Sequence, residues 1–301
     1  MNSGGPLRLM DLVRGTERAL RAADLSYGHG TQNPHDEAAW LVLHALGLPL
    51  DTDLSDDVEG NRLVSKDQSE SAATLLRARV DTRKPLAYLT RQAWLQGVPF
   101  YVDERAIVPR SLIAEAIADG SIDPWLGPQT RRVLDLCTGN GSLAVLAALA
   151  WPDVQIDAAD LSRDALAVAR INVDQHQLQD RVTLIENDGL AACPGPYDLI
   201  LCNPPYVNSA SMAALPAEYR AEPALALAAG PDGMDFIRPL LQQAPRHLSR
   251  DGVLVLEIGH ERGHFETAFP KLDPVWLDTS AGNEQVLLLD QAALRGMDTQ
   301  A

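Results

Sequence analysis

Apolar positions recur at helical spacing through residues 7–90 and in short alternating or unbroken runs after that, and the change divides the chain. In "LRLMDLVRGTERALRAAD" (7–24), Leu7, Met10, Leu12, Val13 and Leu20 fall on roughly one side of a helix. A second helix is expected over "HDEAAWLVLHALGL" (35–48), which Asn33-Pro34 precedes, Gly47 stops and Pro49 follows. "SKDQSESAATLLRARVDTR" (65–83) is a third. The polar, acidic "DTDLSDDVEGN" (51–61) between the last two reads as a solvated loop. Residues 1–90 are thus expected to form a small helical domain, equally readable as a folding cap or as a partner-binding unit. In "AWLQGVPFYVDERAIVPR" (93–110), β-rich segments flank Gly97, so residues 91–110 are expected to be a hairpin connector. A helix over 111–119 and a turn at "GPQT" (127–130) follow.

From Arg131 strands and helices alternate. "RRVLDLC" (131–137), "VQIDAAD" (154–160), "RVTLIE" (181–186), "YDLILC" (197–202), "GVLVLEIG" (252–259), "VWLDT" (275–279) and "QVLLLD" (285–290) read as strands. "SLAVLAALAW" (142–151), "SRDALAVARINVDQHQ" (162–177, with Ser162 as N-cap) and "MDFIRPLLQQAPRHL" (234–248) read as helices. Regular alternation predicts an α/β fold, a doubly wound, mostly parallel seven-stranded Rossmann-like sheet over 111–301. No internal repeat or low-complexity segment is present.

Composition narrows the class further. The longest apolar run, 143–151, has nine residues, far short of the roughly 20 a membrane helix needs. "MNSGGPLRLM" (1–10) has no charged-then-apolar signal pattern, so a cytoplasmic protein without a membrane partner is expected. Three widely spaced cysteines, Cys137, Cys193 and Cys202, fit neither a disulfide framework nor a zinc knuckle. A net charge of −16 repels phosphate backbones and attracts a basic protein, although acidity also serves solubility.

Candidate chemistry concentrates after two strands. "LDLCTGNGSLAV" (134–145) delivers Asp135, turns through Thr138, Gly139, Asn140 and Gly141, and enters a helix at Ser142. Glycines there let a ligand lie against bare backbone, or simply make a tight turn. Asp160 ends the next strand 21 residues after Gly139, where an acid meets the ribose hydroxyls of an adenosine ligand; its bland role is a cap beside Ser162. Leu161 follows it. Asp135 in the turn region suits the ammonium and sulfonium of S-adenosylmethionine and opposes a pyrophosphate, and it equally serves as a helix-capping partner. Asn187 and Asp188 contact adenine from its edge, or are a polar turn.

"YDLILCNPPYVN" (197–208) then runs a buried strand into Asn203, Pro204, Pro205 and Tyr206. Each proline removes a donor, fixes φ and holds its predecessor extended. The result is a rigid, acceptor-rich corner, or merely a stiff turn. In a doubly wound sheet this strand neighbours the first, so Asn203 emerges beside Gly139. The natural guest is a planar NH₂ group, with one donor on the Asn203 oxygen, one on the Pro204 carbonyl, and Tyr206 over its face.

"DLCTGNG" and "NPPYV", with "FYVDERAIVPR" (100–110) and "LPAEYRAEPALALAAGPDG" (215–233), resemble the S-adenosylmethionine-dependent protein-(glutamine-N(5)) methyltransferases that modify translation proteins. "AYLTRQAW" (87–94) with the segments at 101–111 and 215–227 is most similar to the branch acting on large-subunit ribosomal protein three. The resemblance is strongest from Ala87 to Gly233. It implies methylation of a glutamine amide in a basic ribosomal protein, free or in an assembly intermediate, with the helical domain helping to dock it. It also implies that Gly139, Asp160 and Asn203 line the cofactor and that residues 203–206 hold the glutamine. One departure is Gly189, because sister enzymes acting on release factors carry an aromatic residue after the acid at the adenine edge. Release-factor methylation, adenine methylation of nucleic acid and a non-catalytic adapter are the alternatives. With 25 Lys+Arg against 41 acids and no basic run, nucleic acid is disfavoured and no sequence-specific DNA binding is expected. His260 and His264 lack a third ligand for a metal and read as a solvated helix start. Cys137 and Cys202 read as small buried groups, and Trp40 as core. Arg105 and Arg110 either neutralise acids near the cofactor or flank the hairpin.

Overall fold

A computed structural model of the protein describes residues 7–55 and 58–298. Residues 1–6 of the N-terminal stretch, Asp56 and Asp57 of the acidic loop, and residues 299–301 lie outside the described residues. The chain forms two units, the first running up to Gln92 and including Pro216–Ala221, the second made of Ala93–Leu215 and everything from Glu222 onward.

In the first unit, α1 (Leu9–Ala22) buries Leu9, Val13, Thr16 and Leu20; of the face expected in the sequence, Val13 and Leu20 are buried, while Leu7, Met10 and Leu12 are only partly so. The helix begins only at Leu9, which puts Leu7 outside it. Helix α2 (Pro34–Leu46) is capped as its sequence predicts: the Asn33 side chain accepts from the His35 and Asp36 N–H groups, and Gly47 closes it in the left-handed region. Trp40 lies in the core. Helix α3 (Lys66–Thr82) starts in a Ser65–Gln68 capping box and α4 (Leu86–Thr90) follows it. Arg79 of α3 is buried, with its Nε donating to Glu37 Oε1 at 2.7 Å and its Nη2 to the Ser26 carbonyl.

The second unit opens with a hairpin of β1 (Ala93–Leu95) and β2 (Val98–Phe100). Gln96 and Gly97 both have positive φ, 50° and 74°, which a two-residue type I′ turn requires. The hairpin lies within this unit. Leu95 and Phe100 enter the same core as Ile113 of α5 (Ile113–Ala118), and Asn172 accepts from the Tyr101 N–H at 2.7 Å.

The sheet then builds in sequence: β3 (Arg132–Leu136), α6 (Ser142–Ala150), β4 (Gln155–Asp160), α7 (Arg163–Gln175), β5 (Val182–Glu186), β6 (Tyr197–Cys202) and α8 (Ser209–Ala214). The short α9 (Ala217–Arg220) belongs to the first unit. Then follow α10 (Ile237–His247), β7 (Leu248–Glu257), α11 (Arg262–Ala268), β8 (Val275–Thr279), β9 (Gly282–Asp290) and α12 (Gln291–Asp298). Strand order is β5-β4-β3-β6-β7-β9-β8, and β9 runs antiparallel to both β7 and β8. The sheet is covered on both faces, as alternating side chains show. Val133, Leu199, Leu201, Val253 and Val255 enter one core, while Leu134, Ile200, Cys202, Leu254 and Leu256 enter the other. Helices α8, α9 and α12 are short and carry no long periodic stripe, so no sequence pattern predicts them.

Candidate active site

The order of the sheet sets the site. Strand β3 pairs in parallel with β4 on one side and β6 on the other, with Leu136 opposite Ala159 and Cys202. The crossovers leave in opposite directions from β3, so a crevice opens beyond the carboxyl ends of these strands. The carboxyl ends of β3, β4, β5 and β6 and the turns after them carry Gly139, Asp160, Asn187 and Asn203.

After β3 the chain passes through Cys137, Gly139 and Gly141, all at positive φ. The loop is tied down by its own backbone, with the Thr138 N–H donating to Ala159 at 3.0 Å and the Gly141 N–H to Thr138 at 2.8 Å. Asn172, fully buried on α7, donates to the Asn140 carbonyl at 2.8 Å and to the Tyr101 carbonyl at 2.9 Å. The two glycines do different work. A Cβ on Gly139 would meet nothing within 4 Å and would project into open space, whereas one on Gly141 would lie 3.1 Å from the Ala169 Cβ. Gly139 leaves backbone bare toward the crevice, and Gly141 lets α6 approach α7.

Asp135 shares the parity of Val133 and faces the α6 side of the sheet. Its Oδ2 accepts from Thr138 Oγ1 at 2.5 Å and from the Ala144 N–H in the first turn of α6 at 3.0 Å. Its Oδ1 is buried without a hydrogen-bond partner among the described residues. Burial pushes its carboxyl up to about 7, against the lowering effect of those two bonds.

Asp160 at the end of β4 accepts from the Gly139 N–H at 2.9 Å on one oxygen and from the Ser162 N–H at 2.8 Å on the other. Burial raises its pKa while the backbone donors oppose that rise. After β5, Asn187 braces its own turn: its oxygen accepts from the Ala192 N–H, and its amide donates to the Gly189 carbonyl and Cys193 Sγ. These turns wall a cleft, partly open to solvent, into which Gly139, Asp160, Leu161, Asn187, Asp188 and Asn203 face.

The corner after β6 is held from behind. Val207 pairs with the 227–229 segment, donating to the Leu227 carbonyl at 2.8 Å and accepting from the Ala229 N–H at 3.0 Å. The Asn208 side chain caps α8 and donates to Glu261 at 2.7 Å. Tyr206 lies against Gly259, where a Cβ would come within 2.5 Å of its ring, and its hydroxyl donates to Glu257 Oε1 at 3.2 Å. Glu257 Oε2 in turn accepts from Ser111 Oγ at 2.6 Å and the Leu112 N–H at 2.9 Å. Burial raises the pKa of both the Tyr206 phenol and the Glu257 carboxyl. Close by in the chain, buried Glu222 takes both Arg110 Nη atoms and the Val108 N–H.

Of the residues singled out in sequence, Asn203 and Pro205 line the cleft with Gly139, Asp160, Leu161, Asn187 and Asp188. Asp135, Thr138, Asn140 and Gly141 stand behind that wall and shape the glycine turn. Pro204 and Tyr206 are also outside the lining, and the Tyr206 ring is directed to Gly259 and Glu257 rather than over the cleft. Arg105 lines the cleft but is forked onto Asp103, which holds that carboxyl at about 2; Arg110 serves Glu222. Phe236, from the turn before α10, and Ile107, Pro223 and Leu225 also line the cleft. No local motif announces them; they arrive by tertiary packing. His264 pairs with Glu261, and no metal-binding cluster of His, Cys, Asp and Glu occurs among the described residues.

Known proteins extend this picture. A family profile described as "Methyltransferase small domain" matches residues 122–218. The chain is 54% identical over 289 residues to the ribosomal protein uL3 glutamine methyltransferase of Bordetella pertussis, covering 95% of this chain and 96% of that one. It is 49% identical over 294 residues to the same-named protein of Burkholderia pseudomallei, with 94% of each chain covered. Among solved structures, the hMettl16 catalytic domain in complex with the MAT2A 3'UTR hairpin 1 superposes with a TM-score of 0.52 at 15% identity, over 84% of this chain and 89% of that one, a likeness of fold.

Proposed function

The chain belongs to the family of ribosomal protein uL3 glutamine methyltransferases, which use S-adenosylmethionine, and from that premise we propose that it methylates a glutamine side-chain amide of uL3 at the corner where β3 and β6 end. The residues of the cleft suit that cofactor. Its wall offers the Asp160 carboxylate and the bare backbone of Gly139, and Arg105, the one basic residue in the lining among the described residues, is already paired with Asp103. An acid for a ribose diol beside an arginine that is already paired matches an adenosyl sulfonium better than the pyrophosphate of a dinucleotide. Asp160, Gly139, Leu161, Asn187 and Asp188 would hold the adenosine part. When bound, S-adenosylmethionine supplies a methyl group on a positively charged sulfur.

The chain's own work is positioning. A carboxamide nitrogen is a poor nucleophile because its lone pair is delocalised into the carbonyl. Asn203 Oδ1 accepts one of its N–H bonds, which aims the nitrogen across the gap toward Gly139. Pro204 and Pro205 keep that corner stiff. Orientation of this kind supplies barrier reduction that reaches about 7–11 kcal/mol at its limit. No base is required beforehand, since the nitrogen turns acidic as it gains the methyl group, and its proton leaves to water.

The observation that carries this reading is the placing of Gly139 and Asn203 in the turns that follow two adjacent parallel strands, β3 and β6, both lining one cleft. The net charge of −16 favours a basic ribosomal protein as partner, and the helical first unit is the proposed docking element. Because the glutamine has to enter the cleft, the substrate is uL3 free or in an assembly intermediate, met in the cytoplasm. The test is transfer of label from S-adenosylmethionine to uL3 from cells lacking the enzyme, with the residue identified by mass spectrometry. Asn203→Ala is expected to lower transfer by about 10²-fold and leave cofactor affinity within a few fold. Near-normal turnover in that variant overturns the corner's role, and label on another protein in place of uL3 overturns the substrate.

A further inference from the structure

We propose that the adenine end of the cleft continues past Gly189 into a second lobe, which takes an apolar substituent on the exocyclic amino nitrogen of the adenosyl ligand. This rests on the cofactor reading above. The reactive corner follows β6, the bare glycine follows β3, the ribose acid follows β4, and Asn187 and Asp188 follow β5. A ligand whose sulfur sits near Asn203 therefore carries its base at the β5 end. There the wall is missing a side chain. Gly189 has φ +57°, and a Cβ built on it meets nothing within 4 Å. The gap belongs to a braced turn, since Asn187 bonds the Ala192 N–H at 3.0 Å, the Gly189 carbonyl at 3.1 Å and Cys193 Sγ at 3.2 Å.

Beyond the gap lies a groove between this turn and α10 that shares Asp188, Gly189 and Phe236 with the main cleft. Buried Leu190 and Leu240 contribute to it, Phe236 stands where the two spaces meet, and Pro239 and Gln243 are exposed one helical turn apart. The chemistry is selective. A singly substituted amino group keeps one N–H for the Asp188 carboxylate and sends its apolar arm toward Phe236 and Leu240. The occupant is thus an N6-monosubstituted adenosyl compound, a class that a bulky residue at 189 would reject.

Titration calorimetry on the full chain, with S-adenosylhomocysteine and its N6-benzyl derivative, tests this. On the unaltered protein the derivative is expected to bind within about threefold of the parent. Gln243→Trp, which fills the lobe from α10, is expected to weaken the derivative by about tenfold or more and leave the parent unchanged. Ala191→Trp repeats the test from the opposite wall. Rejection of the derivative by more than about thirtyfold on the unaltered protein, with the parent bound, overturns the lobe. So does an unchanged ratio of the two affinities in both tryptophan variants. Failure of the parent itself to bind overturns the underlying cofactor reading as well, and so is told apart from failure of the lobe alone.

Discussion

The Tyr206 hydroxyl donates to Glu257 Oε1 at 3.2 Å, which anchors the last residue of the Asn-Pro-Pro-Tyr corner to the end of β7. Tyr206→Phe leaves that buried carboxylate oxygen short of its donor, at a cost of about 1–3 kcal/mol. Turnover is expected to fall by about tenfold with cofactor affinity unchanged, because the bond positions the corner rather than forming the pocket. Glu257→Ala is expected to lower turnover and stability further, since Ser111 and the Leu112 N–H also lose their acceptor. The double variant should be no slower than Glu257→Ala alone. Additive losses in turnover would show that the two residues act separately.

Asp160 joins the glycine turn to the start of α7 through its two backbone donors. Asp160→Ala is expected to weaken S-adenosylhomocysteine binding by about 1–3 kcal/mol, by loss of charge-assisted bonds and of the turn's bracing. Calorimetry reads this directly, and an unchanged affinity takes Asp160 out of the site.

Asp135 makes stability depend on pH with a sign opposite to that of a salt-bridged acid. Burial raises its pKa from 3.8 to about 7, so the folded state binds a proton in that window that the unfolded state has released. Its contribution is fully present below 3.8 and is lost as pH rises through about 7. Relative to Asp135→Asn, the unaltered protein should lose stability across that window, by at most about 1.4 kcal/mol per pH unit. Denaturant unfolding from pH 4 to pH 8 checks it, and parallel curves for the two proteins would contradict it.

In the first unit, Arg79 is 1% exposed and lies between Glu37 and the fully buried Glu218, which Arg83 also contacts at 2.9 Å. Arg79→Met strands the buried Glu37 carboxylate, while Glu218 keeps Arg83, and is expected to cost about 3–5 kcal/mol. Adding Glu37→Gln should recover part of the loss, because the stranded charge is then gone. Thermal unfolding of both variants measures this, and an unaltered melting temperature in Arg79→Met would refute it.

Local chemistry made much of this legible in advance. Strand periodicity, the Asn33 and Ser162 caps, the Gln96-Gly97 turn and the β-α alternation are all written within a few residues of where they act. They yielded the sheet, the adjacency of Gly139 and Asn203, and the placing of Asp160 at the end of β4. The parity of Asp135 with Val133 was readable too, and it places that carboxylate on the α6 side of the sheet.

What the order of residues determined by itself was the succession of elements and the two turns proposed to carry the chemistry, because hydrophobic period and proline or glycine geometry are short-range properties. Only the tertiary structure decided that Gly141 admits α7 while Gly139 stays bare, and that the Tyr206 ring is directed to Glu257. It also decided that Phe236 reaches the cleft and that Pro216–Ala221 joins the first unit. Each of these is a contact between positions far apart in the chain, fixed by which buried groups must find partners when the segments come together, and no local pattern encodes that choice.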